Sequence, residues 1–158
     1  EYQHQEKFIP TVINSIASGK EIPIYGDGNQ VRDWIYVADH IEALMTILDL
    51  AKPGSIYNIG GDTELENINL AKLICRIMAE REMKKPSYYD ELIVSITDRL
   101  GHDFRYAIEN KKLLNLTNVK FSDFNLNLKN TISFYLQNYK LYKKKLNEKW
   151  LRKKIENY

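Results

Sequence analysis

The sequence predicts an α/β protein. Short runs of β-branched and aromatic residues alternate with segments whose apolar residues recur at helical spacing. Turn-forming clusters mark the boundaries, at Gly26-Asp27-Gly28-Asn29, Pro53-Gly54 and Gly60-Gly61. The chain has 158 residues, 44% apolar and 28% charged. That length suits one domain burying roughly 70% of its unfolded surface, and the composition excludes disorder throughout.

The elements follow in order. Phe8, Val12, Ile13 and Ile16 share one helical face, and Gly19 stops that helix. Ile22-Pro23-Ile24-Tyr25 reads as a strand, and Asp33-Trp34-Ile35-Tyr36-Val37 as a second. Asp39 with Glu42 three residues later resembles a capping box. The helix it opens carries Ile41, Leu44, Met45 and Leu48 on one face and ends at Pro53-Gly54. Ile56-Tyr57-Asn58-Ile59 reads as a strand closed by Gly60-Gly61. Asn67 can cap a helix that turns Leu70, Leu73, Ile74 and Ile77 inward. Leu92 to Ile96 is a further strand, and Arg105-Tyr106-Ala107-Ile108 reads as another. A long helix begins near Phe124, with Leu128, Ile132, Tyr135 and Leu136 on its apolar face.

Several functional classes are excluded by what is missing. No apolar run reaches the ~20 residues of a membrane span, and the first residues carry no basic stretch followed by an apolar one. The lack of a starting Met leads to the expectation of a fragment, and a reducing cytoplasm fits the single cysteine. Cys75 alone forms neither an internal disulfide nor a multi-cysteine zinc site. His4, His40 and His102 are isolated, which argues against metal binding. Seven glycines complete no Gly-x-Gly-x-x-Gly turn, the cradle for a dinucleotide pyrophosphate. Tyr139-x-x-x-Lys143 matches a short-chain dehydrogenase pair, but sits in a basic run at the far end and reads as a chance match. That run, residues 139–158, holds eight basic and two acidic residues, a net +6, which leaves −4 on residues 1–138 of an overall +2. A mildly acidic globule therefore carries a basic helical tail.

The chemistry concentrates in Ile22-Pro-Ile-Tyr-Gly-Asp-Gly-Asn-Gln-Val-Arg-Asp-Trp-Ile-Tyr-Val-Ala-Asp-His40. A proline, a tyrosine and an arginine lie around one turn. Arginine offers a planar fork suited to phosphate oxygens, and Tyr25 and Pro23 offer flat faces for a base. On their own these residues also read as a tight turn beside a surface ion pair.

This block resembles the C-terminal half of the dTDP-glucose 4,6-dehydratase family, a branch of the extended short-chain dehydrogenase/reductases. Tyr57-Asn-Ile-Gly-Gly61 and Asp98-Arg-Leu-Gly-His-Asp-Phe-Arg-Tyr-Ala-Ile108 carry the likeness further. The second stretch separates these dehydratases from sister epimerases and decarboxylases. Tyr2-Gln-His-Gln-Glu-Lys-Phe-Ile-Pro10 resembles the segment after the family's Tyr-Gly-Pro. The likeness covers about residues 1–138. It departs at Glu1, Gln5 and Leu100, where the family has proline, and near Phe121–Leu126, which lacks a Gly-Trp-x-Pro segment.

The resemblance implies an N-terminal Rossmann part that holds NAD, outside this chain. The family oxidises the sugar at C4, eliminates water across C5–C6 and returns the hydride to C6. Its glycine-rich loop, its Tyr-x-x-x-Lys and its acidic elimination pair fall upstream of Glu1. No NAD and no catalysis are expected of this chain alone; what remains is the substrate-binding portion for dTDP-glucose. By motif position Lys7 lies near the nucleotide-sugar, Pro23 and Tyr25 flank the thymine, and Arg32 faces the diphosphate. Asn67, Arg99 and His102 match further phosphate and ribose contacts. Taken alone, Asn67 reads as a helix cap, Arg99 as a surface charge and His102 as a satisfied loop residue.

Three expectations follow. The isolated chain binds dTDP-sugar weakly or not at all, because nothing else orders its loops. The face of Ile41, Leu44, Met45 and Leu48, with Ile56 and Ile59, stands uncovered until the N-terminal half joins, either in one polypeptide or as a separate gene product. The family is homodimeric. Two other readings remain: a fragment of a sister epimerase or decarboxylase, and a degenerate interaction module whose basic tail contacts nucleic acid. The tail reads more simply as a solvated helix end, so nucleic acid is not favoured.

Overall fold

The computed structural model describes residues 2–138. The basic tail and the Tyr139–Lys143 pair lie outside the described residues. Helix α1 spans Phe8–Ala17 and β1 spans Ile22–Tyr25. Strand β2 is Val31–Asp33 and α2 is Val37–Leu50. Strand β3, Glu64–Glu66, runs directly into α3, Asn67–Arg81. A 3₁₀ turn at Asp90–Leu92 leads into β4, Ile93–Ile96. Helix α4 is Lys111–Leu116, and the described part of α5 covers residues 124–138.

Two small sheets result. β1 pairs in parallel with β4, Ile22 beside Ile93 and Tyr25 beside Ile96. β2 pairs antiparallel with β3, Arg32 opposite Leu65. The alternation in β1 sorts its side chains: Ile22 and Ile24 point into the core, and Pro23 and Tyr25 share the outer face.

The core lies where α1, β1, α3 and α5 converge. Val12, Ile13, Ile16, Ile22, Ile24, Leu70, Ile74, Met78, Leu128, Ile132 and Tyr135 are all buried there. Each large aliphatic contributes roughly 1.5–3 kcal/mol by leaving water, so this cluster orients the strands that carry the polar residues. Gly28 has φ +74°, and a Cβ there would run into Ile24 and Ile68. The glycine lets the β1–β2 turn sit against the start of α3, where the Ile68 N–H donates to the Gly28 carbonyl at 3.0 Å.

Four sequence expectations are corrected. The second strand ends at Asp33 instead of starting there. Its partner β3 begins at Glu64, opposite Asp33, so Ile35 and Tyr36 have no strand to pair with. Asp39 does not cap α2, which starts at Val37 with no side-chain cap. Its buried carboxylate instead accepts from the Ser122 N–H at 3.0 Å and the Ser122 hydroxyl at 2.8 Å. Ile56–Ile59 is not a strand. Its end is held by Asn110, whose side chain pairs with both backbone groups of Gly60. Arg105–Ile108 forms no strand either, only a single bridge from Arg105 to Val31.

The face of α2 stands open as expected. Ile41 is 51% exposed, Met45 56% and Leu48 75%. Ile56 is also exposed, and Ile59 is half-buried.

Candidate functional site

The site forms where the end of β1, strand β2 and the irregular segment after β4 meet. β1 delivers Tyr25 to the surface. Gly26 then turns the chain, and its N–H donates to the Ile96 carbonyl at 2.9 Å while its carbonyl accepts from the Ser95 hydroxyl at 2.6 Å. This lashes the β1 exit to the β4 exit, and so brings Asp98 to His102 beside Tyr25.

A turn then aims His102. Its N–H donates to the Arg99 carbonyl at 3.2 Å, and Gly101 has φ +69°. Glycine at that corner favours such a turn without a preceding proline, so Leu100, fully exposed, does not abolish it. The His102 ring stands edge-on to Tyr25, centroids 5.8 Å apart.

Polar contacts tie these residues together. Asp98 Oδ1 lies 2.6 Å from His102 Nδ1, and Gln30 Nε2 donates to Asp98 Oδ2 at 2.8 Å. His102 Nε2 lies 3.1 Å from Arg32 Nη2, which also donates to the Asp103 carbonyl at 2.9 Å. The Arg32 guanidinium sits 4.6 Å from the Tyr106 ring centre, and that of Arg99 sits 5.0 Å from the Tyr25 ring centre. Such cation–π contacts are worth ~0.5–1 kcal/mol at exposed positions. The His102 hydrogen bond, more than any other influence, holds the Asp98 carboxyl below its ordinary range. The Tyr106 hydroxyl donates to the Asp103 carboxylate, which pushes the phenol up.

Of the residues singled out in the sequence, Tyr25, Arg32, Arg99 and His102 form one cluster. Pro23 shares the outer face of β1 with Tyr25. Asn67 is the first residue of α3 and not its cap; its N–H donates to the Gln30 carbonyl at 3.0 Å, which sets it at the edge of the cluster. A cap needs a residue preceding the helix, and Glu66 holds that position because β3 runs straight into α3. Lys7 precedes α1 and is exposed, and among the described residues no hydrogen bond or ion pair links its side chain to the cluster. Gln30, Asp98, Asp103 and Tyr106 lie inside the two motifs, but the sequence alone gives them no site role. Asp98 sits four residues from His102, a spacing that signals no contact outside regular structure, and Gln30 meets Asp98 across 68 residues of sequence.

Other chemistry is thin. Burial pushes the Cys75 thiol up to about 12, which makes it a poor nucleophile. Among the described residues no cluster of three or more His, Cys, Asp or Glu is placed to hold a metal, and no helix is long and apolar enough to cross a membrane. The Gly26–Gly28 turn joins two strands, with Gly28 N–H spent on the Tyr25 carbonyl. It does not open a helix N-terminus, so these residues do not fit the pyrophosphate of a dinucleotide.

Comparisons agree with this architecture. Residues 1–60 match the model of the NAD dependent epimerase/dehydratase family. A dTDP-glucose 4,6-dehydratase of Haemophilus influenzae is 40% identical over 141 residues, 87% of this chain and 42% of that protein. The structure of the Bacillus anthracis dTDP-glucose 4,6-dehydratase, in complex with NAD, superposes with a TM-score of 0.76 at 36% identity, over 87% of this chain and 41% of the other. A UDP-glucuronic acid 4-epimerase from Bacillus cereus shares the fold alone, with a TM-score of 0.70 at 20% identity over 85% of this chain and 41% of that one. The chain thus spans about two fifths of the length of the relatives it matches. It belongs to the NAD dependent epimerase/dehydratase family, and the members it matches at about 40% identity are dTDP-glucose 4,6-dehydratases.

Proposed function

We propose that residues 1–138 form the dTDP-glucose-binding portion of a 4,6-dehydratase of nucleotide-sugar biosynthesis, and that residues 139–158 are a basic appendage to it. The observation that carries this reading is the convergence of Arg32, Arg99, His102 and Tyr25 at the joined exits of β1 and β4. A diphosphate needs concentrated positive charge, and a thymine needs a flat apolar face beside it. Tyr25 and Pro23 offer the face. Arg99 leaves its stack on Tyr25, worth under ~1 kcal/mol, for charge-assisted hydrogen bonds to phosphate of ~1.5–3 kcal/mol. Asn67 stands at the ribose side and Lys7 on the approach. NAD, when bound by another segment, supplies the hydride chemistry; these residues bind and orient the sugar nucleotide.

The open face of α2 supports a second element of the proposal: a NAD-binding segment covers it, in the same polypeptide or as a separately made half. The assembled protein is a homodimer in the cytoplasm, as its family is.

Calorimetry tests this. dTDP-glucose titrated into the 158-residue chain is expected to bind weakly or not at all. Micromolar binding is expected once the chain is co-purified with the complementary part of the Haemophilus influenzae relative. Micromolar binding by the chain alone would remove the need for a second segment. Unchanged affinity of the assembled Arg32→Ala and Arg99→Ala proteins would remove the binding role.

A further inference from the structure

Arginine carries donors only. The imidazole nitrogen that faces Arg32 Nη2 at 3.1 Å, His102 Nε2, therefore accepts and bears no hydrogen. A neutral ring then keeps its hydrogen on Nδ1, the atom 2.6 Å from the Asp98 carboxylate. Asp98 is itself fixed from two sides, by Gln30 Nε2 at 2.8 Å and by the Arg99 backbone N–H at 2.7 Å. Gln30 and the His102 side chain are each only 7% exposed, whereas the Asp98 side chain between them is 38% exposed, so the relay is shielded from water at Gln30 and His102 and open to it at Asp98.

At the other end Arg32 is almost fully engaged. Nη2 serves His102 and the Asp103 carbonyl. Nη1 donates to the Val31 carbonyl at 2.7 Å and weakly to the Phe104 carbonyl at 3.4 Å. A guanidinium so held acts as a fixed charge and not as a searching fork. Arg99 is its complement: among the described residues its guanidinium makes no hydrogen bond and only stacks on Tyr25.

We propose that Asp98 is a positioning residue for the arginine pair: it locks His102 as the Nδ1–H tautomer, whose bare Nε2 pins Arg32 in place. The inference rests on the binding role assigned above and divides it. Arg32 is a preset charge for the diphosphate, and Arg99 is the arm that closes on it. Pre-organisation of this kind spares the ligand the cost of ordering one of its two arginines.

The test needs no ligand, so it stands or falls apart from the calorimetry. Nitrogen-15 spectra of the full chain near neutral pH are expected to show a protonated Nδ1 and a bare Nε2 for His102. In Asp98→Asn the opposite tautomer gains population, and hydrogen exchange at the Arg32 guanidinium speeds up about tenfold. In His102→Gln an amide oxygen replaces Nε2 as acceptor without needing Asp98. Adding Asp98→Asn in that background is expected to leave Arg32 exchange unchanged. A protonated Nε2 in the wild type overturns the proposal, even if the variants fail to fold. Equal acceleration by Asp98→Asn in both backgrounds also overturns it, since Asp98 then acts on the loop as a whole.

Discussion

Asn110 and Gly60 hold one another across 50 residues of sequence by two hydrogen bonds, Gly60 N–H to Asn110 Oδ1 at 2.6 Å and Asn110 Nδ2 to the Gly60 carbonyl at 2.9 Å. Asn110 is buried, and a Cβ on Gly60 would collide with Asp33 and Ile108. The pair joins the loop after α2 to the segment entering α4. Asn110→Ala leaves a buried donor and a buried acceptor unpaired, at about 1–3 kcal/mol each. Urea unfolding is expected to show a loss of roughly 2–4 kcal/mol. A loss below about 1 kcal/mol would mean that water fills both roles.

Acid should weaken the fold through its paired carboxylates. The hydrogen bond from Arg105 holds the Glu64 carboxyl low, that from Lys84 does the same for Glu82, and that from His102 for Asp98. A folded-state value below the unfolded one gives stability that is present above the ordinary carboxyl range, ~4, and is lost as pH falls through the folded value. The melting temperature, followed by circular dichroism, should therefore drop below about pH 4. Glu64→Gln should drop less steeply there. Parallel profiles for the two proteins would show that Glu64, a surface partner, carries no part of the effect.

Three non-glycine residues among those described have positive φ, Tyr2, Asp62 and Met83, and the last ends a helix. Met83 follows α3 with φ +55° and is 96% exposed. Lys84 N–H donates to the Ala79 carbonyl at 2.9 Å and Met83 N–H to that of Glu80 at 3.1 Å, a helix-ending loop that favours glycine. Met83→Gly removes the Cβ strain and loses no packing. A gain of about 0.5–1 kcal/mol, or roughly 2–4 °C in melting temperature, is expected. A lower melting temperature would show that unfolded-state entropy outweighs the strain.

The α2 face should make the isolated chain sticky. Met45 and Leu48 lie side by side with Ile41 on an uncovered apolar strip. Sedimentation velocity should show concentration-dependent association of the chain, reduced in Met45→Glu/Leu48→Glu. Stability should change by less than about 0.5 kcal/mol per site, because neither side chain is buried. A wild type that stays monomeric at all concentrations would count against an unpartnered face.

Helices α1, α2, α3 and α5 and the core were legible in the chain because their signals are local, whereas α4, six residues long, was not. Phe8, Val12, Ile13 and Ile16 repeat at the helical period, as do Leu128, Ile132 and Tyr135, and all pack inward. β1 and β4 were legible for the same reason. The strand readings at Ile35–Tyr36, Ile56–Ile59 and Arg105–Ile108 failed because strand propensity states only that a residue suits a sheet, and a sheet needs a partner. Asp39 and Asn67 were read as caps from spacing alone, whereas Ser122 and the direct β3–α3 junction decided their roles.

The amino-acid order by itself determined the α/β alternation, the apolar faces, and the presence of a tyrosine, two arginines and a histidine in two separated motifs. Only the folded chain decided that Gln30, Asp98 and His102 line up behind Arg32 while the Arg99 guanidinium stacks on Tyr25. Hydrogen bonds across 70 residues, such as Arg32 to His102, depend on distance and angle in space. Those are set by how β1 and β4 pair and how the turns leave them, which no local pattern records.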